Sequence, residues 1–189
     1  MLSTLLGGGT LCTMAALVLL VISTATDYWM QYRYSGNFAN QGLWRFCINR
    51  KCHAHTLTVD FWDATRAFML LSVLSTFVAA LLGLGTFTSS TKSRRVRAGG
   101  VASLLAGEPR LQPHALGIGP GFLSLLALAV YTGATVHFFG KRYINWRFSW
   151  SYILGWMGVI LALASGILQL CAYRRKMSEL PPPSITSDS

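Results

Sequence analysis

Cys47 and Cys52 are the side chains in this sequence best placed for covalent chemistry. Four residues separate them within a polar stretch. A strand hairpin can close that distance, and an oxidising compartment would favour the disulfide. Just beyond, His53 and His55 share one face of an extended segment and could hold a metal jointly. A metal site needs further ligands and none is nearby, so solvated or hydrogen-bonded histidines are the simpler expectation. Asp27, Asp60 and Asp63 stand without a nucleophile or base beside them, and no phosphate-binding glycine loop occurs. The expectation is a protein that is not an enzyme, with no cofactor, no metal and no nucleic-acid partner.

The elements that must position this loop are apolar and long. Of 189 residues, 52% are hydrophobic and only 12% charged, which argues for lipid as the solvent. Four runs are each long enough to cross roughly 30 Å of hydrocarbon as a helix. They predict spans over about 5–26, 66–90, 115–139 and 151–173, with outer loops at 27–65 and 140–150. No acidic side chain lies inside a span, which excludes the intramembrane carboxylates of a proton-coupled pump. The first run lacks a basic start and exceeds the length of a signal-peptide core, so it is expected to remain as a span. The fold class expected is an all-α membrane protein, a four-helix transmembrane bundle carrying a small extracellular antiparallel β-sheet. Residues 1–173 make one four-span domain, and 174–189 a disordered, Pro-led cytosolic tail.

Loop charge does not decide orientation. Lys92, Arg94, Arg95, Arg97, Arg110, Arg174, Arg175 and Lys176 fall on one side and Arg33, Arg45, Arg50, Lys51, Arg66, Lys141, Arg142 and Arg147 on the other, a tie. The cysteine pair breaks it, placing the large loop outside and both termini in the cytosol. No N-x-S/T sequon offers an independent marker.

Within the large loop, "DYWMQYRY" alternates aromatic and polar residues, and "LWRFCIN" and "CHAHTLTV" read as two further strands joined around the cysteines. A sheet so small buries little core, and a bridge over so short a ring removes only about 2 kcal/mol of unfolded-chain entropy. Its main service is to lock register, with Leu43 and Trp44 as an apolar hub and Gly42 allowing a tight approach. Trp29, Trp62, Trp146 and Trp150 fall at span ends and are expected in the headgroup layer. On span four, Gly158, Ala162 and Gly166 recur every four residues and let another helix come close, more simply within the bundle than between molecules. In "GEPRLQPHALGIGPG", Pro109, Pro113 and Pro120 would break a helix and Glu108 and Arg110 would be costly in lipid, so the third crossing is placed after Pro113. Cys171 beside "YRRK" is a lipidation candidate. Ser93, Ser184, Thr186 and Ser187 are phosphorylation candidates, and phosphate on Ser93 would weaken attraction of "TKSRRVR" to anionic lipid.

A tryptophan, then GLW, then two cysteines in the first outer loop resembles the signature of the claudin and peripheral myelin protein/epithelial membrane protein superfamily. "STATDYWMQYR", "QGLWRFC", "ATRAFMLLS", "LALAVYTG" and "WRFSWSYILGW" are most similar to its eye-lens branch. The resemblance implies a claudin-like fold, a Cys47–Cys52 extracellular disulfide, a loop hub of Trp29, Gly42, Leu43 and Trp44, and Arg66 at the mouth of span two. It implies a non-enzymatic, multi-pass plasma-membrane protein at cell–cell contacts, structural or adhesive in role. Two departures stand out. Residues 107–120 look like an insertion where relatives begin span three, and the sequence ends in Ser189 rather than the apolar residue a PDZ ligand needs.

The leading expectation is a junction component whose outer sheet grips a neighbouring membrane. A claudin-type paracellular pore or barrier, anion-preferring because its loop is basic, is one alternative. An accessory subunit of another membrane protein is a second. Expected partners are membrane lipids, a second copy or junctional partner in the same or apposed membrane, and an acidic extracellular partner facing Arg33, Arg45, Arg50 and Lys51.

Overall fold

A computed structural model describes residues 2–49, 51–55, 60–92, 113–141 and 145–178. Ser93, Ser184, Thr186 and Ser187, Arg50, the histidine-distal end of "CHAHTLTV" at 56–59 and the insertion residues 107–112 lie outside them.

Four helices form the body: α1 (Leu2–Ala25), α2 (Asp60–Lys92), α3 (Pro113–Phe138) and α4 (Trp150–Ser178). Each contains an apolar segment of membrane-crossing length, of 22, 26, 20 and 23 residues respectively. A helix suits lipid because it satisfies every backbone group within itself. Many hydroxyls in these spans do the same by turning back onto the carbonyl four residues earlier, as Thr13 does to Gly9 (2.9 Å), Thr24 to Leu20 (2.7 Å) and Thr76 to Ser72 (2.6 Å). Around the bundle each helix packs on its two sequence neighbours, and α1 closes the ring on α4.

The helix limits depart from the expected spans at three places. α2 starts at Asp60, six residues before the apolar run, because Asp60 and Asp63 in its first turn suit the positive helix end. α4 continues through Arg174 and Arg175 to Ser178, so these basic residues are helical and not part of an irregular tail. Cations stabilise a helix C-terminus, and Ser178 Oγ donates to the Arg175 carbonyl at 2.8 Å. Pro120 does not break α3, which starts at Pro113, where a missing N–H costs nothing. The Pro120 carbonyl accepts hydroxyls from Ser124 (2.9 Å) and from Ser72 of α2 (2.8 Å), a polar tie between α2 and α3 beside the proline.

Between α1 and α2 run β1 (Met30–Tyr34), β2 (Asn37–Gln41), β3 (Arg45–Ile48) and β4 (Lys51–Ala54); β5 (Trp146–Phe148) precedes α4. All pairings are antiparallel, in the order β4-β3-β2-β1-β5. Both connecting segments therefore meet in one sheet over one end of the bundle. Two of the five strands were not legible beforehand. β2 follows a two-residue turn, Ser35–Gly36, with positive φ at both positions (47° and 81°), the mirror-image turn that suits a twisted hairpin. β5 is three residues long and exists through its pairing with β1.

Candidate functional site

The informative geometry lies where the sheet meets the helices. Asp27 leaves α1, and Trp29 follows at full burial, its backbone N–H bonded to the Gln41 carbonyl (3.0 Å) and its indole N–H to the Ser23 carbonyl (2.7 Å). The indole edge meets Tyr131 of α3 at 4.8 Å and Tyr152 of α4 at 6.2 Å. One residue thus touches α1, α3, α4 and the sheet. Trp62 is also buried, against Phe61, His55 and Phe139. Trp29 and Trp62 are core residues and not headgroup anchors: the sheet covers the helix ends and removes them from the interface. Trp146 lies half-buried in β5. Trp150 remains exposed, stacked on Tyr28 at 5.4 Å.

Gly42 sits against the chain leaving α1. A β-carbon there would lie 2.5 Å from Asp27 Cα, a backbone atom that cannot step aside, so only glycine fits. Leu43, fully buried, offers its carbonyl to Arg66 Nε at 2.7 Å. The same guanidinium bonds Asp63 (2.7 Å) and lies 5.3 Å over the Trp44 ring, whose indole N–H reaches the Thr24 carbonyl at 2.9 Å. Arg66 therefore clamps the second turn of α2 onto the loop. Trp29, Gly42, Leu43, Trp44 and Arg66 form one connected knot. Asp27 belongs to it as well, with Oδ2 2.8 Å from Arg45 Nη2 and Oδ1 buried without a hydrogen-bond partner. Nothing in the spacing of "TATDYW" marks Asp27, because its partner is eighteen residues away and meets it only through β2.

Cys47 and Cys52 are paired residues on β3 and β4, joined by a disulfide with their Cα atoms 4.0 Å apart. The bridge ties the outer hairpin and is separate from the knot. His55 closes the gap between them. Its imidazole lies 4.4 Å from Trp62, and Nε2 is 3.3 Å from the Gly42 carbonyl. Burial holds the His55 pKa below its ordinary 6.5; the Gly42 hydrogen bond opposes this, Arg66 adds to the lowering and Asp27 opposes it. His53 is exposed on β4, with the Phe46 ring 5.7 Å from each histidine. Among the described residues no cluster of three metal-ligating side chains exists.

The span-four small residues face inward. A β-carbon on Gly158 would meet the Leu20 side chain of α1 at 2.9 Å, and Ala162 and Gly166 are buried. Beyond them Ser165 and Thr13 join α4 to α1, their hydroxyls 2.5 Å apart, with Gln169 donating to both. Cys171 is exposed near the far end of α4.

The loop cations are mostly engaged. Arg45 is held by Asp27, Arg66 by Asp63 and Leu43, and Arg147 by Gln31 (3.0 Å), while Arg33 lies 5.1 Å over the Phe38 ring. Lys51 is exposed, without such a partner among the described residues.

Comparison with known proteins meets this geometry directly. The family model described as PMP-22/EMP/MP20/Claudin matches residues 1–169. The lens fiber membrane intrinsic protein of Bos taurus is 44% identical over 172 residues, covering 89% of this chain and 91% of that protein. The Homo sapiens protein of the same name is 43% identical with the same coverage. Epithelial membrane protein 1 of Homo sapiens is 25% identical over 174 residues, covering 90% of this chain and 98% of its own. With four spans, a five-stranded sheet and a Cys47–Cys52 bridge, this multi-pass membrane protein belongs to the PMP-22/EMP/MP20/Claudin family.

Proposed function

We propose that the protein is a structural component of cell–cell contacts at the plasma membrane, with its sheet outside the cell and both chain ends in the cytosol. The observation that carries this reading is the knot at the bundle mouth. Trp29, Gly42 and Arg66 fix the sheet to all four helices, so it behaves as a stiff plate and not as a loop. A preorganised surface loses little entropy on docking, which suits repeated weak contacts along a membrane. Phe38 is 65% exposed and Tyr34 49% on the β1–β2 hairpin, apolar area that an isolated molecule gains nothing from showing to water. No catalytic constellation competes with this reading among the described residues.

An anion-selective pore draws less support. Arg45 is neutralised by Asp27, and Arg33 and Arg147 are tethered to Phe38 and Gln31, so fewer cations stand free to line a path.

The test is expression in cells that do not aggregate by themselves. Wild-type cells should cluster and concentrate the protein at their borders. The Cys47→Ser/Cys52→Ser pair, whose hairpin is untied, should cluster several-fold less at equal surface level. Labelling intact cells with an impermeant thiol reagent, before and after reduction, should mark the two cysteines only after reduction. Absence of clustering by wild type would reject the contact role, and thiols that label only after permeabilisation would reject the orientation.

A further inference from the structure

The solvent-facing side of the sheet carries an open groove of about 480 Å³, within the roughly 300–1,000 Å³ of small-molecule sites. Tyr28 and Phe38 supply ring surfaces, Asn37, Asn40 and Asn49 supply side-chain amides, and the Cys47–Cys52 bridge lies beside Asn40, which pairs with Cys47. These amides form no hydrogen bond to the rest of the protein among the described residues. Among the described residues no charged side chain lines the groove; the neighbouring guanidinium groups of Arg33 and Arg147 rest on Phe38 and Gln31.

Three free amides, each with donors and an acceptor, match hydroxyl groups, which also donate and accept. Aromatic faces cover the C–H face of a saturated ring. With no cation among its described lining residues, the groove offers an anionic ligand no direct ion pair in exchange for its water. The chemistry selected is a neutral, polyhydroxylated ring. Its source follows from where the groove begins. Tyr28 comes three residues after the end of α1 and stacks on Trp150, the first residue of α4, so one end of the groove opens where two helices leave the lipid.

We propose that this groove binds the uncharged sugar headgroup of a glycolipid in the same outer leaflet. The assignment rests on the sheet facing outward, as in the proposed function, and is independent of any adhesive role.

Native mass spectrometry of the full-length protein in detergent, mixed with equal amounts of lactosylceramide and ceramide, reads this directly. The lactosylceramide adduct should exceed the ceramide adduct at least fivefold. It should fall to the ceramide level in Phe38→Ala, where the side chain is exposed, and in Asn49→Gly, which removes the amide while suiting the positive φ of 49°. Thermal melts of the variants should match wild type. If either variant melts early, displacement of lactosylceramide from wild type by millimolar lactose gives an equivalent reading. Equal adducts, full retention in both folded variants, or preference for a sialylated ganglioside would overturn the proposal. Lactose binding as tightly as lactosylceramide would move the source to a soluble or protein-borne glycan and sink the glycolipid assignment. Loss of the adduct in a dimer would make a second chain the occupant, and would sink it equally. Loss of cell clustering with adducts intact would touch only the contact role.

Discussion

The two ends of the bundle are held together by different physics. At the sheet end the interior is large and aromatic: Trp29, Trp62, Tyr131, Tyr152 and Met69 fill the space between the helix tops and the inner strand residues. At the terminal end it is small and hydroxylic. Gly9 lies against Gln169, Gly83 against Thr10 and Gly121 against Leu163, and Thr13, Ser165 and Gln169 share hydrogen bonds. Water surrounds the sheet, so burying rings there gains the full hydrophobic effect. Lipid is as apolar as leucine, so deep in the membrane helices gain only from close approach and polar pairing. The same chain therefore uses bulk where it meets water and smallness where it meets lipid.

Trp29→Ala should show the largest effect. It removes a fully buried indole at the junction of four elements and should cost about 3–5 kcal/mol, read as a large drop in thermal midpoint in detergent. A melt like that of wild type would mean that the sheet is not fixed through this residue. Gly121→Leu comes next. Its β-carbon would lie 2.8 Å from the Leu163 side chain and 3.2 Å from that residue's backbone nitrogen, so overpacking should cost about 1–3 kcal/mol. Gly133→Leu, in the same helix but with nothing within 4 Å, should leave the melt unchanged. Equal effects from the two would erase the proposed distinction between packed and lipid-facing glycines.

Ser165→Ala should matter less, about 0.6 kcal/mol, because hydrogen bonds between membrane helices are worth little once alternative partners exist. A loss as large as that of Trp29→Ala would contradict the contrast. The smallest effect is that of pH on His55. Its folded-state pKa lies below 6.5, so between the two values the unfolded chain binds more protons than the native one. Stability contributed here is present at neutral pH and is lost as pH falls below about 7. His55→Gln should flatten that part of the melting profile; a native protein that gains stability on acidification in this range would reverse the sign.

The same contrast explains what was legible beforehand. The four spans were, because a 20-residue apolar run has few other fates and needs no partner to be recognised. The knot was legible in part. Trp29, Gly42, Leu43 and Trp44 stand out with the cysteines and Arg66 joins them only through the family resemblance, but Trp29 and Trp62 read as interface anchors because a tryptophan at a span end looks the same whether lipid headgroups or a sheet covers it. Asp27 was not visible as the partner of Arg45, nor Ser72 as a donor to the Pro120 carbonyl, since each contact joins segments far apart in sequence.

Local sequence alone determined the number of crossings and the cysteine hairpin, because hydropathy and short-range spacing act within one segment. Only the tertiary structure decided that β2 and β5 exist, that Asp27 is what Gly42 approaches, and that most of the loop cations are already engaged. Those outcomes depend on which surfaces come together in space, and a strand of three residues or a buried carboxylate has no stability of its own until its neighbours arrive.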